Sequence, residues 1–267
     1  MKIGFIGGGQ MCEALVKGLI SHELNFELSI SEKVEERVEA LRRMFPMARI
    51  TSSNADILHS SDIIVIAVKP QQLKTAFEDA DIPRGKLFIS ICAGVTLSQL
   101  ASYITPLERI ARVMPNLSAV VGEGAAGFAL NANCAQEDAR IVKKILSSVG
   151  AVVEQVPESL IDVVTGVSGS GPAYVCLFIE ALADAGVKHG LSREAALRLA
   201  AQTCVGTGKM VLRGGEANHP AVIKDKVCSP GGTSIAGVSE LEANGFRSSI
   251  FAAVSAAVER GRQLGGA

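Results

Sequence analysis

The residues with the clearest chemical potential lie near the end of the chain, in the segment Ser229-Pro230-Gly231-Gly232-Thr233-Ser234. Its two adjacent glycines allow successive backbone N–H groups to converge on one point, and two hydroxyl side chains follow where a helix could begin. Because a helix N-terminus carries free N–H donors and a partial positive charge, this segment predicts an anion-binding site. The alternative is a turn followed by an ordinary helix N-cap.

A second glycine-rich segment, Gly7-Gly8-Gly9, follows an apolar strand pattern and precedes a helical one. In that setting a G-x-G-x-x-G motif indicates a dinucleotide site, where Gly7 allows a tight turn and Gly9 lets the backbone approach a pyrophosphate. Cys12 takes the third glycine position, where a small residue permits close packing of helix on strand. A tight turn without a ligand is the alternative. Two such segments at opposite ends of the chain suggest two ligands and a reaction between them.

The end of the second predicted strand distinguishes NAD from NADP, since an acidic residue there accepts from the ribose 2′-OH and basic groups accommodate a 2′-phosphate. Ser31 at the strand end and Lys33 nearby favour NADPH. Glu32 argues for NADH or faces solvent, so NADH stays possible. Arg37 follows one turn later.

These segments need a scaffold, and the first half of the chain alternates short apolar runs with helical patterns. Strands are predicted at Lys2–Ile6, Glu27–Ile30, 63–68, 87–91, 109–113 and 149–155, with helices such as 11–20 and 34–44 between them. Strands separated by helices of about 10–15 residues indicate βαβ units and a parallel sheet. We therefore predict an α/β, Rossmann-type dinucleotide-binding domain over residues 1–155.

From Pro157 onward the sequence predicts helices alone, at 160–164, 172–189, 192–212, 220–227, 234–243 and 246–264. Ser192 is the expected N-cap of one of them. The segment Pro172–Leu182 is apolar on nearly every face, which predicts burial, most plausibly at a subunit interface. Gly206 and Gly208 lie inside a helical pattern and predict close helix–helix approach. Residues 156–267 are expected to form an all-α, substrate-binding and dimerisation domain.

Composition excludes several classes of protein. The 267 residues are 48% hydrophobic and carry a formal net charge of −1, which offers no basic field for nucleic acid or an anionic membrane. The apolar run Pro172–Ala183 is shorter than the roughly 20 residues that span a bilayer, and no leader pattern opens the chain. Six scattered cysteines and four histidines without metal-ligand spacing predict free thiols and no metal site. We expect a cytoplasmic globular protein.

Several segments together resemble one family, pyrroline-5-carboxylate reductase, over essentially the whole chain. The segments are Gly4–Met11, Ala67–Pro70, Met114–Asn116, Gly166–Tyr174 and, most specifically, Asp225–Gly237. The resemblance implies NAD(P)H-dependent reduction of the cyclic imine 1-pyrroline-5-carboxylate to proline. It also implies a helical C-terminal domain that interlocks two subunits, so that a homo-oligomer is built from dimers.

The resemblance further implies residue roles. The family's cofactor positions fall on Ile6, Gly7, Gly8, Gly9, Gln10, Met11, Asn54, Ala67, Val68, Lys69, Pro70, Cys92, Ala93 and Gly94. Its substrate positions fall on Glu158, Thr233 and Ser234, although an acidic residue in a first helical turn is often only a dipole partner. The chain departs from the family at Leu117-Ser118, where a Thr-Pro pair is common, and at Lys226, which is Asn in some relatives.

An imine reductase needs a hydride donor, an anchor for the substrate carboxylate and control of the ring nitrogen's proton. The segment Ser229, Gly231, Gly232 and Thr233 suits the carboxylate, and the Ser234 hydroxyl is the candidate catalytic group, hydrogen-bonded to the ring nitrogen. A rival is a β-hydroxyacid dehydrogenase, a class with a G-x-x-G-x-G-x-x-x-K pattern whose lysine handles the hydroxyl proton. Gly166, Gly169 and Gly171 match the glycines of this pattern. Val175 takes the position of the lysine here and cannot transfer a proton. A non-catalytic dinucleotide sensor is the second rival, and it leaves Ser229–Ser234 without a purpose.

Overall fold

The computed structural model of the chain describes residues 1–78 and 80–265. The strands in this part of the chain are β1 Lys2–Ile6, β2 Glu27–Ser31, β3 Arg49–Thr51, β4 Ile63–Ile66, β5 Leu87–Ser90, β6 Arg109–Met114, β7 Ala125–Leu130 and β8 Val152–Gln155. The helices of the first 170 residues are α1 Gln10–Ser21, α2 Glu35–Met44, α3 Asn54–Ser60, α4 Leu73–Phe77, α5 Leu97–Tyr103, α6 Gln136–Leu146 and α7 Ile161–Val164. They are followed by α8 Gly171–Lys188, α9 Arg193–Leu212, α10 Pro220–Val227, α11 Thr233–Ala243 and α12 Phe246–Gly265.

The strands form one eight-stranded sheet in the order β3-β2-β1-β4-β5-β6-β7-β8. Every neighbouring pair is parallel except β6 and β7, which are antiparallel. From β1 the chain builds outward to β2 and β3, and then continues on the other side of β1 with β4. The strand order therefore reverses between β1 and β4, and at such a switch point a crevice for ligands opens beyond the carboxyl ends of the strands.

The central strands are apolar along their whole length because both faces of the sheet are covered. In β1, Phe5 packs in a cluster on one face with Val65 and Ile89, while its neighbour Ile6 packs in a second cluster on the other face with Phe88. All five side chains are buried. This two-sided core fixes the strand ends that carry the predicted cofactor residues.

The predicted α/β class is confirmed, and the predicted strands recur within a few residues; β8 begins at Val152 instead of Val149. Two strands escaped prediction. The strand β3 has only three residues, and β7 has the sequence Ala-Ala-Gly-Phe-Ala-Leu, which is poor in the β-branched residues typical of strands. The pairing of β7 with β6 supplies the hydrogen bonds that its composition does not predict.

The chain divides into two compact units, and they are described separately. The first comprises Met1–Ser170 with the described residues from Ala256 onward, and the second comprises Gly171–Ser255. The sheet and its helices belong to the first unit. The predicted division after Gln155 coincides with the end of β8 and stays a prediction about domain organisation.

In the second unit, helices α8 and α9 pack closely through small residues: a Cβ added to Gly186 would lie 3.2 Å from the Ala196 Cβ. Ser192 is the N-cap of α9, and its hydroxyl accepts a hydrogen bond from the Ala195 N–H, as predicted. The close approach predicted at Gly206 and Gly208 is not made within the described residues, since a Cβ at either position would meet no atom within 4 Å.

The apolar side chains of helix α8, predicted to be buried at a subunit interface, are largely uncovered in the single chain. Within the described residues Ala183 is the buried residue of this helix. Leu177 is 69% exposed, and Val175, Phe178 and Leu182 are exposed as well. The prediction of an interface therefore rests on surface that the single chain leaves uncovered. By length and composition alone, the helical segment Glu158–Lys188 would also be long enough to cross a membrane, a test that core helices of globular proteins pass too.

Candidate dinucleotide and anion sites

A cavity of about 720 Å³ lies at the switch point of the sheet. This volume falls in the range typical of small-molecule and cofactor sites. Its wall contains Gly7, Gly8, Gly9, Ser31, Glu32, Lys33, Val34, Arg37, Asn54, Ala67, Val68, Lys69, Gln71, Gln72, Thr75 and Ala76. Nine of the sixteen predicted cofactor residues are thus brought together in one wall, from segments that are far apart in the sequence.

The glycine turn has the geometry that a pyrophosphate site requires. Gly7 has a φ of +102°, and a Cβ there would lie 2.8 Å from the Ala67 carbonyl oxygen on the neighbouring strand end. At Gly9 a Cβ would meet no atom within 4 Å, so this position leaves open space in front of the first turn of α1. Gly9 is the N-cap of α1 without a side-chain cap, which leaves first-turn N–H groups available to an anion. Cys12 is fully buried in the core, consistent with the close packing predicted for it.

The end of β2 supplies the polar part of the wall. The Ser31 hydroxyl donates to Asn54 Oδ1, and Asn54 Nδ2 donates to the Ala76 carbonyl at 3.1 Å. These two bonds fix Ser31 and Asn54 against α4. Lys33 is exposed at the rim, and its ammonium has no ion-pair partner among the described residues.

Two loops after β4 and β5 are joined by a thiol. The Cys92 Sγ–H donates to the Val68 carbonyl at 3.1 Å, and the Cys92 N–H donates to Ser90 Oγ at 3.3 Å. Burial raises the pKa of this thiol to about 11, so it stays protonated and remains a donor at neutral pH. Cys92 therefore supports the loop at Val68 instead of contacting the cavity itself.

The remaining predicted cofactor residues, Ile6, Gln10, Met11, Pro70, Cys92, Ala93 and Gly94, flank the wall without belonging to it. Their roles stay predictions. Sequence reasoning missed Val34 and the wall formed by Gln71, Gln72, Thr75 and Ala76. In the sequence, Pro70 could have indicated this part of the wall. It begins a helical turn after the carboxyl end of β4, and a helix start at that edge of the sheet faces the ligand crevice.

Glu158, the predicted substrate residue in the first unit, has other partners in the chain. Its Oε1 accepts from the Leu97 N–H at the start of α5 at 2.6 Å and lies 3.5 Å from Arg112 Nη1. The buried Arg112 also donates to Asp162 Oδ1 at 2.8 Å. Glu158 thus interacts with the N-terminus of α5 and not with that of its own helix, and its contact with substrate stays a prediction.

In the second unit, Ser229–Gly232 forms a β-turn with the Gly232 N–H donating to the Ser229 carbonyl at 3.0 Å. Pro230 and Gly231, with φ of +68° at Gly231, occupy the central positions that favour Pro and Gly in a type II turn. Helix α11 begins at Thr233, one residue before the predicted start, and its N-cap Gly232 has no side chain to cap it. The first-turn N–H groups at Thr233 and Ser234 therefore stay available, as an anion site requires.

Gly166 and Gly169, the first two glycines of the pattern considered for the rival dehydrogenase, lie in a π-helical turn at Thr165–Gly169. A Cβ at Gly169 would lie 2.5 Å from Met114 Cε. Close packing on a side chain of β6 thus accounts for Gly169. Val175 on α8 is partly exposed and carries no group that could transfer a proton.

Comparison with known proteins gives the family. A family model described as pyrroline-5-carboxylate reductase dimerisation matches residues 158–264, and one described as NADP oxidoreductase, coenzyme F420-dependent, matches residues 2–94. A pyrroline-5-carboxylate reductase of Methanosarcina acetivorans is 44% identical over 99% of this chain and 98% of its own. The chain belongs to the pyrroline-5-carboxylate reductase family.

Solved structures agree with this assignment. The pyrroline-5-carboxylate reductase of Coxiella burnetii matches with a TM-score of 0.89 and 31% identity over 98% of this chain and 97% of that chain. The Plasmodium falciparum pyrroline carboxylate reductase, solved with NADP bound, matches with a TM-score of 0.82 and 35% identity over 99% of this chain and 98% of that chain.

Proposed function

We propose that this chain catalyses the NADPH-dependent reduction of 1-pyrroline-5-carboxylate to L-proline, the last step of proline biosynthesis. The observation that carries the proposal is the combination of family membership with a cavity at the switch point between β1 and β4. This cavity fits a dinucleotide because its glycine turn has φ of +102° at Gly7 and open space at Gly9. When bound, the dinucleotide supplies the hydride.

The first unit binds and orients the cofactor in this proposal. The first turn of α1, which starts after Gly9, binds the pyrophosphate, since its N–H donors carry no side-chain entropy cost. The Gly7 N–H donates to the Ser31 carbonyl and the Gly8 N–H to Glu32 Oε2, so these two groups shape the turn. Ser31, Lys33 and Asn54 bind the adenosine ribose and its 2′-phosphate. Ala67, Val68 and Lys69 line the neighbouring part of the site, and the loop Cys92–Gly94 supports them through the Cys92–Val68 hydrogen bond.

The second unit binds the substrate. The N–H groups at the start of α11, beside the Ser229–Gly232 turn, hold the substrate carboxylate. The Ser234 hydroxyl forms a hydrogen bond to the ring nitrogen and controls the position of its proton. A protonated C=N carries its own positive charge, so no histidine–aspartate pair or lysine is required. Orientation of the imine carbon for hydride transfer accounts for most of the rate enhancement.

The helical unit supports our proposal of a homo-oligomer. The dimerisation model of the family covers residues 158–264, and the exposed apolar side chains of α8 lie inside that range. We propose that the subunits contact each other through α8 and the neighbouring C-terminal helices. The proposed location of the reaction is the cytoplasm. A membrane-spanning role for Glu158–Lys188 is not part of the proposal, because a subunit interface accounts for the same apolar surface.

The purified protein should oxidise NADPH when 1-pyrroline-5-carboxylate is added, followed by the absorbance of the reduced nicotinamide and by the appearance of proline. Reactions without the imine give the background. No oxidation above background would contradict the proposal. A second reaction with NADP⁺ and a β-hydroxyacid tests the rival dehydrogenase, and turnover of the hydroxyacid alone would favour that rival.

A further inference from the structure

The last turns of α12 belong to the first unit and pack against the loop Cys92–Gly94. Gly94 has a φ of +77°, and a Cβ added there would lie 3.2 Å from the Leu264 Cβ. On the other side of this contact, a Cβ added to Gly265 would lie 2.5 Å from the Gly94 carbonyl oxygen. The two backbones therefore approach each other so closely that both positions favour glycine.

Gln99 adds a polar contact at the same place. Its Nε2 donates to the Gly265 carbonyl at 2.9 Å, and its Oε1 accepts from the Thr96 N–H at 2.8 Å. The last carbonyl groups of a helix have no partner inside the helix and carry a partial negative charge, which suits an amide donor. The amide oxygen of the same side chain completes the capping box at the start of α5. Gln99 thus joins the end of α12 to the start of α5.

The loop Cys92–Gly94 transmits this contact to the cavity wall. At its other end, the buried Cys92 Sγ–H donates to the carbonyl of Val68, which lines the cavity. Ala93, between these two fixed ends, is exposed. A shift of Gly94 would therefore move Cys92, two residues away, and with it the hydrogen bond that supports Val68.

We propose that Gln99 and Gly265 are positioning residues for the dinucleotide site, an inference that rests on the function proposed above. Both lie outside the cavity wall. Together they fix Gly94 against the end of α12, so that the loop holds Val68 in the conformation that receives the cofactor. Without this contact the dinucleotide has to order the loop when it binds, and its affinity falls by the cost of that ordering.

Gln99→Glu tests the polar contact in the full-length protein. Glutamate keeps an oxygen that accepts from the Thr96 N–H, since Glu and Gln both complete a capping box, but it removes the donor to Gly265 and opposes two negative groups. The dissociation constant of NADPH should rise about tenfold, the size expected for one lost hydrogen bond with a like-charge contact. Fluorescence of the bound nicotinamide measures it directly, since the chain contains no tryptophan.

Steady-state kinetics separate positioning from a merely structural role. The KM for NADPH should rise in Gln99→Glu, while kcat and the KM for the imine stay within about twofold of the wild type, as expected for lost cofactor binding. A lower kcat with unchanged KM values would indicate only a smaller fraction of folded enzyme and would overturn the proposal. Unchanged NADPH affinity in Gln99→Glu would overturn it as well.

Gln263→Glu is the matched control, because it makes the same change from amide to carboxylate in the last turns of α12. Gln263 is exposed and forms hydrogen bonds with Glu259 and Arg260 of its own helix. This variant should leave the dissociation constant of NADPH unchanged. An equal rise in Gln263→Glu would assign the effect to charge alone and contradict a specific contact of Gln99.

Gly265→Ala tests the backbone contact at a position far from the buried core. It should also raise the dissociation constant of NADPH, because the added Cβ would meet the Gly94 carbonyl. Combined with Gln99→Glu it should add little, since both variants break one contact. Fully additive losses would show that the two residues act separately and would overturn the proposal. A wild-type protein that does not bind NADPH would instead contradict the proposed function.

Discussion

The sheet-containing unit and the helical unit Gly171–Ser255 differ in where their apolar side chains lie. In the first, strand residues such as Phe5, Ile66 and Phe88 are fully buried by helices of the same chain. In the second, the buried apolar residues among those described are Ala183, Ala196, Ala200 and Ile223, while larger side chains such as Leu177 and Phe251 face outward.

Apolar character in a sequence therefore does not specify whether the same chain or a second copy buries the side chain. The first unit contains its own core. The second leaves exposed an apolar surface of the kind that marks a protein–protein interface. We therefore propose that its folding free energy depends on a second copy of the chain, which makes its stability depend on protein concentration.

Leu177→Glu is expected to have the largest effect. If α8 lies in a symmetric interface, the substitution buries two unpaired charges, one from each subunit, each costing on the order of 3–5 kcal/mol. The assembly should then dissociate at micromolar concentration, measured by sedimentation velocity. Leu107→Glu in the first unit is the control, because Leu107 is 68% exposed and Leu177 is 69% exposed. This control should leave the assembly intact. An unchanged sedimentation coefficient in Leu177→Glu would place the interface elsewhere.

Phe88→Ala tests whether the first unit contains its own core. Phe88 is fully buried in β5 and packs edge-to-face with Phe77, with ring centroids 6.4 Å apart. Its removal should lower the free energy of unfolding by about 3–5 kcal/mol, independently of protein concentration, in urea unfolding. Phe251→Ala, at a position 76% exposed, should lower stability only through weaker association. A loss for Phe88→Ala that disappears at high protein concentration would contradict a self-contained core.

Arg112→Met concerns the buried ion pairs of the first unit. Arg112 is only 4% exposed and carries the charge that compensates Glu158 and Asp162. Without it, unfolding free energy should fall by about 3 kcal/mol, because two carboxylates lose their partner in a partly buried place. Arg140→Met removes an exposed pair with Glu137 and should change stability by less than about 1 kcal/mol. Equal effects of the two variants would deny Arg112 this structural role.

Ser234→Ala should have the smallest effect in free energy and the most selective one. Loss of one hydrogen bond to a charged ring nitrogen corresponds to about a tenfold lower kcat/KM for the imine. Affinity for NADPH, measured by fluorescence titration, should be nearly unchanged. Ser239→Ala on the exposed part of the same helix is the control. A parallel loss of cofactor affinity would make Ser234 a structural residue.

Local rules predicted much of this molecule. The glycine turn, the Ser192 cap and the run of helices after Pro157 all recur, because backbone freedom, capping and hydrophobic periodicity act over a few neighbouring residues. The same rules failed for β7, whose strand conformation depends on pairing with β6. For α8 they predict burial at a subunit interface, and this stays a prediction because the single chain leaves most of its apolar side chains uncovered.

Local patterns in the chain specify the α/β class, the glycine turn at Gly7–Gly9 and the helix start after Ser229–Gly232. The assembled sheet, in contrast, places the Glu32 carboxylate on the Gly8 N–H, holds Glu158 between Arg112 and the start of α5, and adds Gln71, Gln72, Thr75 and Ala76 to the cavity wall. Each of these contacts joins residues 24 or more positions apart or depends on the strand order. Their geometry follows from how the sheet is assembled, which no local pattern encodes.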